Sequence, residues 1–408
     1  MKILVVVGEF PKLSQTFILS QITGLIDRGH DVKILAKTSA NEQKVHGDVL
    51  QYQLRQRTVY YGRLTRGGKL AKLVQYVIAL LSVSAHRGGR TLLRIGWRRI
   101  VRQPNVLLML RVLRAVNLTD REVILAHFGP NGLLARYCQD AGMLRGRLFV
   151  VFHGYDMLRY VRKNGQAVYR DLFQSEAILL PISDYWRQRC LTLGAAADRT
   201  IVHHMGIDVN LFQGCVPQSK KTVIIASAAR FVEKKGLAYA IEAMRLLQER
   251  HCNVHYVVAG DGPLARKLRA QISRSGLQTV IELCGWRSQA EWSAMVARAQ
   301  IVLAPSVTAA DGDMEGIPVQ LMEAMAAGKV VIATRHSGIP ELIQHGLNGY
   351  LVDERDAAAL ADAVEYAITH TRQWPSLSAN AQATVAADFN AAVQNDRLIR
   401  LFERTLHT

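Results

Sequence analysis

Two doubly wound, Rossmann-like α/β domains are predicted for this chain, and three observations predict them. The chain has 408 residues, long for one core and comfortable for two. Short aliphatic runs alternate with helical patterns through both halves, as parallel strands with covering helices require. Between the halves lies a polar segment with Pro217, Ser219, Lys220 and Lys221, and turn and charge residues of that kind mark a linker. The boundary is placed near residue 215. It separates a first domain, 1–215, from a second, 216–385, with a terminal helical segment at 386–408.

Residues 2–36 read as a β-α-β unit. Strand Ile3–Val7 leads through a loop with Gly8 and Pro11 to a helix capped by Ser14 or Thr16, which ends near Gly29, and strand Val32–Ala36 follows. Gly8 would let that loop approach a ligand closely, and it equally suits a plain turn. From about 55 to 115 the pattern is helical: Leu70, Leu73, Val74, Val77, Ile78 and Leu81 fall on one helix face, with Arg66, Lys69 and Lys72 off it. A second segment, 92–100, mixes Trp97 with Arg94, Arg98 and Arg99. Strands return at Val123–Ala126, Leu148–Phe152 and Ala177–Ile182. They end at His127, at His153 and at Ser183, which is placed to cap a helix starting at Asp184. Ligands gather beyond the carboxyl ends of strands in open α/β sheets, so both histidines stand where a site can form. A further strand, Thr200–His204, leads toward the linker.

The second half repeats the plan with strand Val223–Ser227, helix Leu237–Arg250, strand Tyr256–Ala259, a helix from Pro263 to about Ser275, strand Val280–Cys284, helix Gln289–Arg298 and strand Ile301–Ala304. Gly260-Asp261-Gly262 lacks the remaining glycine of a dinucleotide fingerprint. Residues 286–288 follow a strand end, where they can help hold a base. In the tail, Phe389, Val393, Leu398, Leu401 and Phe402 share one helix face.

Composition narrows the classes. With 49% hydrophobic and 7% aromatic residues, the chain is ordinary soluble material. Its longest apolar stretch, 74–85, falls short of the roughly 20 residues a spanning helix needs. The start, Met1-Lys2 and then Ile3–Val7, is too short for a secretory segment. Cys138, Cys190, Cys215, Cys252 and Cys284 are scattered, with no Cys-x-x-Cys, so neither a disulfide framework nor a zinc site is expected and a reducing cytoplasm fits. The net charge is +18 and uneven: fourteen Lys/Arg and no Asp or Glu lie between Arg55 and Arg114. Such a basic helical insertion, 55–115, implies an anionic partner, whether phospholipid headgroups, a lipid pyrophosphate or nucleic acid; it reads either as a solvated basic face or, as preferred here, as a surface that rests on an anionic membrane.

The most informative stretch is Asp311-Gly312-Asp313-Met314-Glu315-Gly316-Ile317-Pro318-Val319-Gln320-Leu321-Met322-Glu323. Pro318 suits the first position of a helix, which puts Glu315 in the loop ahead of it and Glu323 inside it. The free amides of Gly316, Ile317 and Val319 then face out of a positively polarised helix end and form an anion site. Two acids beside an anion site fit a ligand that carries both phosphates and hydroxyls. Upstream lies Arg230-Phe231-Val232-Glu233-Lys234-Lys235-Gly236. Arg230 can hold phosphate oxygens in a planar fork, and Lys235 can add a compact charge.

The Glu-x7-Glu pair with this Arg/Lys motif resembles the retaining nucleotide-sugar glycosyltransferases of family 4, which have the GT-B fold. The likeness runs over nearly the whole chain. Phe10-Pro11-Lys12-Leu13-Ser14-Gln15-Thr16-Phe17, His127-Phe128-Gly129-Pro130, His153-Gly154-Tyr155-Asp156 and Ser306–Asp313 resemble bacterial exopolysaccharide transferases of the colanic-acid and amylovoran type. The resemblance implies two Rossmann-like domains facing across a cleft, with the last helix crossing back to the first. The first domain would take the acceptor, and the second would take a UDP- or GDP-sugar. Glu315 would accept hydrogen bonds from the sugar and Glu323 from the ribose, while Arg230, Lys235 and the helix-end amides offset the charge of the leaving diphosphate. Closure would bring His153, a positioning and electrostatic residue, to that group.

The resemblance also implies retention of configuration and a lipid-linked oligosaccharide acceptor at the inner face of the cytoplasmic membrane. No cofactor and no metal are expected, although Asp311-Gly312-Asp313 is the one Asp-x-Asp that could invite a cation. Two other classes compete. A nicotinamide-dependent oxidoreductase shares the sheet architecture but needs the missing glycine fingerprint. A non-enzymatic polyanion-binding protein explains the charge and leaves the Arg230/Lys235/Glu315/Glu323 set without a role, so nucleic acid is not expected as a partner.

Overall fold

In a computed structural model that describes residues 1–12, 15–39, 46–62, 69–84, 88–212, 218 and 221–407, two six-stranded sheets are built among the described residues. The first contains β1 (Lys2–Glu9), β2 (Asp31–Thr38), β3 (Thr58–Tyr60), β4 (Val123–His127), β5 (Arg147–Phe152) and β6 (Ile178–Pro181), in the order β3-β2-β1-β4-β5-β6. The second contains β7 (Val223–Ala228), β8 (Val254–Ala259), β9 (Ile281–Gly285), β10 (Ile301–Ala304), β11 (Val330–Thr334) and β12 (Tyr350–Val352), in the order β12-β11-β10-β7-β8-β9. All pairs are parallel. Numbered within its own half, each sheet has the doubly wound order 3-2-1-4-5-6, whose direction reverses between β1 and β4 and between β7 and β10.

Parallel sheets are covered on both faces, which explains why the central strands are unbroken aliphatic runs. Ile3 to Val7 and Ile301 to Leu303 are at most 1% exposed. In the second half Leu237, Ile241, Met244 and Leu360 pack on one face of the sheet. Trp292, Val296, Leu321, Met325 and Phe389 belong to the cluster on the other.

The chain divides into two compact units, 1–182 with 187–203 and 395–408, and 183–186 with 204–394. The first changeover precedes the expected boundary near 215, which itself lies outside the described residues. It comes earlier because Ile207 and Phe212 are already buried in the core of the second unit. The tail changes over later than 386. It comprises helices Trp374–Asp388 and Ala391–Leu406, and residues from Asn395 onward count with the first unit. There Phe402 is fully buried with its ring 4.6 Å from that of Phe149, and Asp396 accepts from Arg28 Nε at 2.6 Å. The last helix does cross back to the first unit.

Several local expectations need correction. Gly8 lies within β1, not in the loop after it. The first helix is Thr16–Asp27, capped by no side chain: Thr16 is its first residue, and Ser14 falls outside the described residues. The 55–115 segment does not begin helical, because the β-branched and aromatic Thr58-Val59-Tyr60 pairs with β2 at the sheet edge. The 92–100 segment is split at Gly96 (φ +85°) between helices Gly88–Ile95 and Trp97–Arg102. Thr200–His204 forms no regular strand; only the Ile201 and His203 amides donate to β6 carbonyls. Ser183 behaves as expected and accepts from the Trp186 amide.

The largest departure is in helix Lys69–Ser84. The expected apolar face is turned to solvent, with Leu73, Val74, Val77, Ile78 and Leu81 43–63% exposed, while Ala79 and Val83 are buried. Tyr76 Oη donates to Asn105 of the neighbouring helix Asn105–Ala115, and Arg114 of that helix caps the carbonyls of Ser82 and Val83. Periodicity finds a stripe without saying which of two apolar faces the protein covers. The side chains of Arg66, Lys69, Leu70 and Lys72 lie outside the described set.

Phe402→Ala should cost about 3–5 kcal/mol in the unfolding of the first unit, because the emptied volume faces the Phe149 ring. Urea denaturation that finds a loss below about 1 kcal/mol would contradict this packing.

Candidate functional site

In the second unit the site is built where the sheet reverses, from the loops after β7 and β10. After β7 the chain is pinned by Phe231, which is 1% exposed and whose backbone bonds Asp261 and Leu264. A single 3-10 turn, Glu233–Lys235, then presents both lysines. Gly236 ends it at φ +62°, in a spot where an added Cβ would lie 1.7 Å from the Pro305 carbonyl. Only glycine fits there, and helix Leu237–Glu249 starts at once.

After β10, residues 305–318 form the opposing loop. The Ala309 amide donates to the Asp313 carbonyl, Gly312 turns at φ +77°, and Asp311 Oδ1 accepts from the Asp313 amide. The Asp-x-Asp element is thus a tight turn, and Asp313 is paired to Lys234 at 3.4 Å. No group of three or more His, Cys, Asp or Glu side chains able to hold a metal is found among the described residues.

Glu315 lies 2.8 Å from Lys235 Nζ and 3.8 Å from Lys234 Nζ, and its side chain is 18% exposed. Burial pushes this carboxyl up, but the two lysines outweigh burial and hold it below the usual glutamate range. Its amide donates to His336 Nε2 at 2.9 Å. The amides of Gly316, Ile317 and Val319 donate to nothing among the described residues. Pro318 is the N-cap of helix Val319–Ala326 and not its first residue, one position earlier than expected, which leaves the open amides at the helix entrance.

Two expected site residues are placed differently. Arg230 is exposed and pairs with no carboxylate among the described residues, so of the two expected cations Lys235 meets Glu315 and Arg230 does not. Glu323 is 9% exposed and accepts from the Trp292 indole at 2.7 Å. Burial pushes its pKa up to about 7, with the indole hydrogen bond opposing. Gln320, between them, accepts from the Ala228 amide at 2.5 Å and ties the helix to the end of β7.

The first unit carries His153 and Gly8. The His153 ring is packed by Phe17 at 4.9 Å and Phe128 at 4.5 Å, and its Nε2 lies 3.2 Å from Nδ1 of the fully buried His127. Burial, then His127 and His203, hold its pKa well below the ordinary value, so the ring is neutral at physiological pH. Asp156, fully buried, accepts from the amides of His153 (3.0 Å) and Gly129 (2.9 Å) and sets the turn on which His153 sits. Burial raises its pKa to about 6 against these amides. Phe128 holds φ +70°, a strained value for a side chain of that size. Among the described residues a Cβ on Gly8 would meet only Asn131, at 4.0 Å.

Comparison with known proteins decides the class. A family model described as glycosyl transferases group 1 matches residues 215–384. The colanic acid biosynthesis glycosyltransferase WcaL of Escherichia coli (strain K12) is 38% identical over 399 residues, 97% of this chain and 98% of that one. This chain belongs to the group 1 glycosyl transferases. The amylovoran biosynthesis glycosyltransferase AmsK of Erwinia amylovora is 35% identical, covering 99% of this chain and all of that one. Among solved structures, HepE of Anabaena in complex with UDP aligns with a TM-score of 0.73 at 19% identity, over 99% of this chain and all of that one. Sucrose-phosphate synthase of Thermosynechococcus elongatus aligns at 0.74 with 15% identity over the full length of both. The fold is GT-B, and the enzyme is a glycosyltransferase. The oxidoreductase and the non-enzymatic readings are set aside by that membership.

Four supporting residues escape a reading by motif. Lys234 is masked by its neighbour Lys235. Asp156 stands in a quoted motif, three residues after His153, but its amide-binding role depends on the turn. His336 and Glu354 are far from the motif in sequence and reach it only because β11 lies beside β10 and β12 beside β11.

Two outcomes test this geometry. Folded Glu323 holds its proton up to about 7 against 4.5 unfolded, so the folded state binds more protons between these values and stability falls as pH rises through them. Glu323→Gln, which can still accept from the Trp292 indole, should therefore be more stable than the parent above pH 7, by up to about 3 kcal/mol. The difference should vanish near pH 4 in urea melts. Gly236→Ala should destabilise the second unit by at least about 2 kcal/mol, and an unchanged melting temperature would refute the Pro305 contact.

Proposed function

We propose that this glycosyltransferase moves a sugar, with retention and without a metal, from a UDP- or GDP-sugar to a lipid-linked oligosaccharide during synthesis of an exopolysaccharide of the colanic acid and amylovoran kind. The observation that carries the reading is the contact of Glu315 with Lys235 beside the unpaired amides of Gly316, Ile317 and Val319. Breaking an anomeric bond to a nucleoside diphosphate puts negative charge on the leaving group. Two lysines, the exposed Arg230 and open amides at a helix entrance are the groups that offset it. Glu315, kept ionised by the lysines, accepts hydrogen bonds from the sugar hydroxyls. Glu323 offers a carboxyl to the ribose hydroxyls from the same helix. The neutral His153 contributes a hydrogen bond and no charge, and the missing side chain of Gly8 suits close approach of the donor.

The names of the relatives support the polysaccharide assignment, and UDP in the HepE complex supports a nucleotide-sugar donor. The acceptor and a place on the inner face of the cytoplasmic membrane draw support from the first unit. Leu93, Trp97 and Val101 are 59–80% exposed, the outward stripe of Lys69–Ser84 is apolar, and Arg94, Arg98 and Arg102 are exposed with them. Apolar side chains among cations suit an anionic bilayer surface, each cation adding roughly 1 kcal/mol. Arg99 is not part of this set, since it pairs with Asp140 and Asp171. No helix among the described residues is long and apolar enough to cross a membrane.

A panel of UDP- and GDP-sugars tests the reaction through donor hydrolysis and thermal stabilisation. Glu315→Gln, Lys235→Ala and His153→Ala should each lower turnover about 100-fold or more while the protein stays folded, with EDTA without effect. Parent-like turnover in the first two variants would remove the site, and EDTA-sensitive turnover would remove the metal-independent mechanism. The protein should sediment with vesicles containing phosphatidylglycerol and not with pure phosphatidylcholine. Leu73→Ser/Leu81→Ser should weaken that binding, and equal binding to both vesicles would exclude the anionic surface.

A further inference from the structure

Three adjacent strand ends in the second unit are joined by one line of hydrogen bonds. Glu354, two residues past β12, meets Nδ1 of His336, two residues past β11, at 2.5 Å. His336 Nε2 meets the Glu315 amide, in the loop after β10, at 2.9 Å. The other oxygen of Glu354 accepts from the Thr308 amide at 2.7 Å, near the start of that same loop. One carboxylate therefore anchors the loop at two points, directly at Thr308 and through an imidazole at Glu315.

The proton positions follow from the chemistry of the partners. A backbone N–H only donates, so Nε2 must be the lone-pair nitrogen. The single ring proton then sits on Nδ1 and is donated to Glu354. His336 is a neutral Nδ1–H tautomer, fixed on both edges and fully buried. Glu354 is held below the usual carboxylate range: burial raises it, while the Thr308 amide and His336 outweigh that. An apolar residue would fill the same buried volume without polar groups to satisfy. What this arrangement adds is a fixed direction for the Glu315 peptide.

We propose that His336 and Glu354 form a positioning pair for the donor site, locking the Glu315 backbone so that its carboxylate meets Lys235 and the next amides stay open. This rests on the role given above to Glu315. Neither residue touches the donor in this account; both act through the loop. A misplacement of about 1 Å in such a group costs on the order of 100-fold in rate.

The test uses the full chain with the donor found in the sugar panel. His336→Leu removes the acceptor of the Glu315 amide, whereas His336→Gln places a carbonyl oxygen near the position of Nε2. The first should lower kcat about 100-fold with a smaller change in donor KM, and the second should return kcat to within about tenfold of the parent. Hydrogen exchange at the Glu315 amide should speed up in His336→Leu and stay slow in His336→Gln. Equal kcat in all three proteins, or equal loss in both variants with unchanged exchange, would overturn the proposal. A nitrogen NMR spectrum of the histidine-labelled parent reads the tautomer without any substitution, and a His336 that carries its proton on Nε2 would also overturn it. The two readings are separable. If Glu315→Gln retains turnover, the site assignment itself fails; if Glu315→Gln is inactive and His336→Leu is not, only the positioning pair fails.

Discussion

The second unit depends on a partly buried carboxylate held among cations. Glu315 is removed from most of the solvent, and a lone charge there would be strongly disfavoured. Lys235 and Lys234 compensate it, and they arrive from a different strand end. The ion pair therefore requires the loops after β7 and β10 to be in register, and the surrounding structure enforces this. Gly236 lets one loop pass against Pro305, Gln320 ties the helix to the end of β7, and Asp313 occupies Lys234 from the other side. Interactions gained in such a place stabilise the fold little on balance. They specify one arrangement of the two loops.

The sheet order explains why chemistry collects there. Where the winding reverses, the connections after the two central strands leave in opposite directions and their loops separate. Both sheets have that reversal, and the candidate side chains lie at or next to it: His127 at the end of β4 and His153 past the neighbouring β5 in one, Lys235 and Glu315 past β7 and β10 in the other. The two halves use the opening differently. One presents two neutral imidazoles, the buried His127 at a strand end and the half-buried His153 on the turn set by Asp156; the other presents cations and open amides.

Much of this was legible in the sequence. Strands buried on both faces appear as aliphatic runs, and helix Gln289–Arg298 and strand Ile301–Ala304 lie where their patterns put them, the helix opened by the Ser288/Glu291 capping box. The grouping of Lys235, Glu315 and the amides was legible as well, since those groups are near their strand ends in sequence. What was hidden depends on contacts between distant segments. The environment of Glu323 is set by Trp292, 31 residues away. The outward face of Lys69–Ser84 follows from the packing of Asn105–Ala115 and not from its own periodicity. The short edge strand Thr58–Tyr60 was obscured by the helical pattern that follows it.

The return of residues 395–408 to the first unit bears on how the protein comes into being. Translation completes the second unit's sheet while the first still lacks the segment that supplies Leu398 and Phe402 to its interior. Until residues 395–408 have been made, the half of the molecule synthesised first lacks part of its apolar interior, so its packing is completed only after every strand of the second unit has been synthesised.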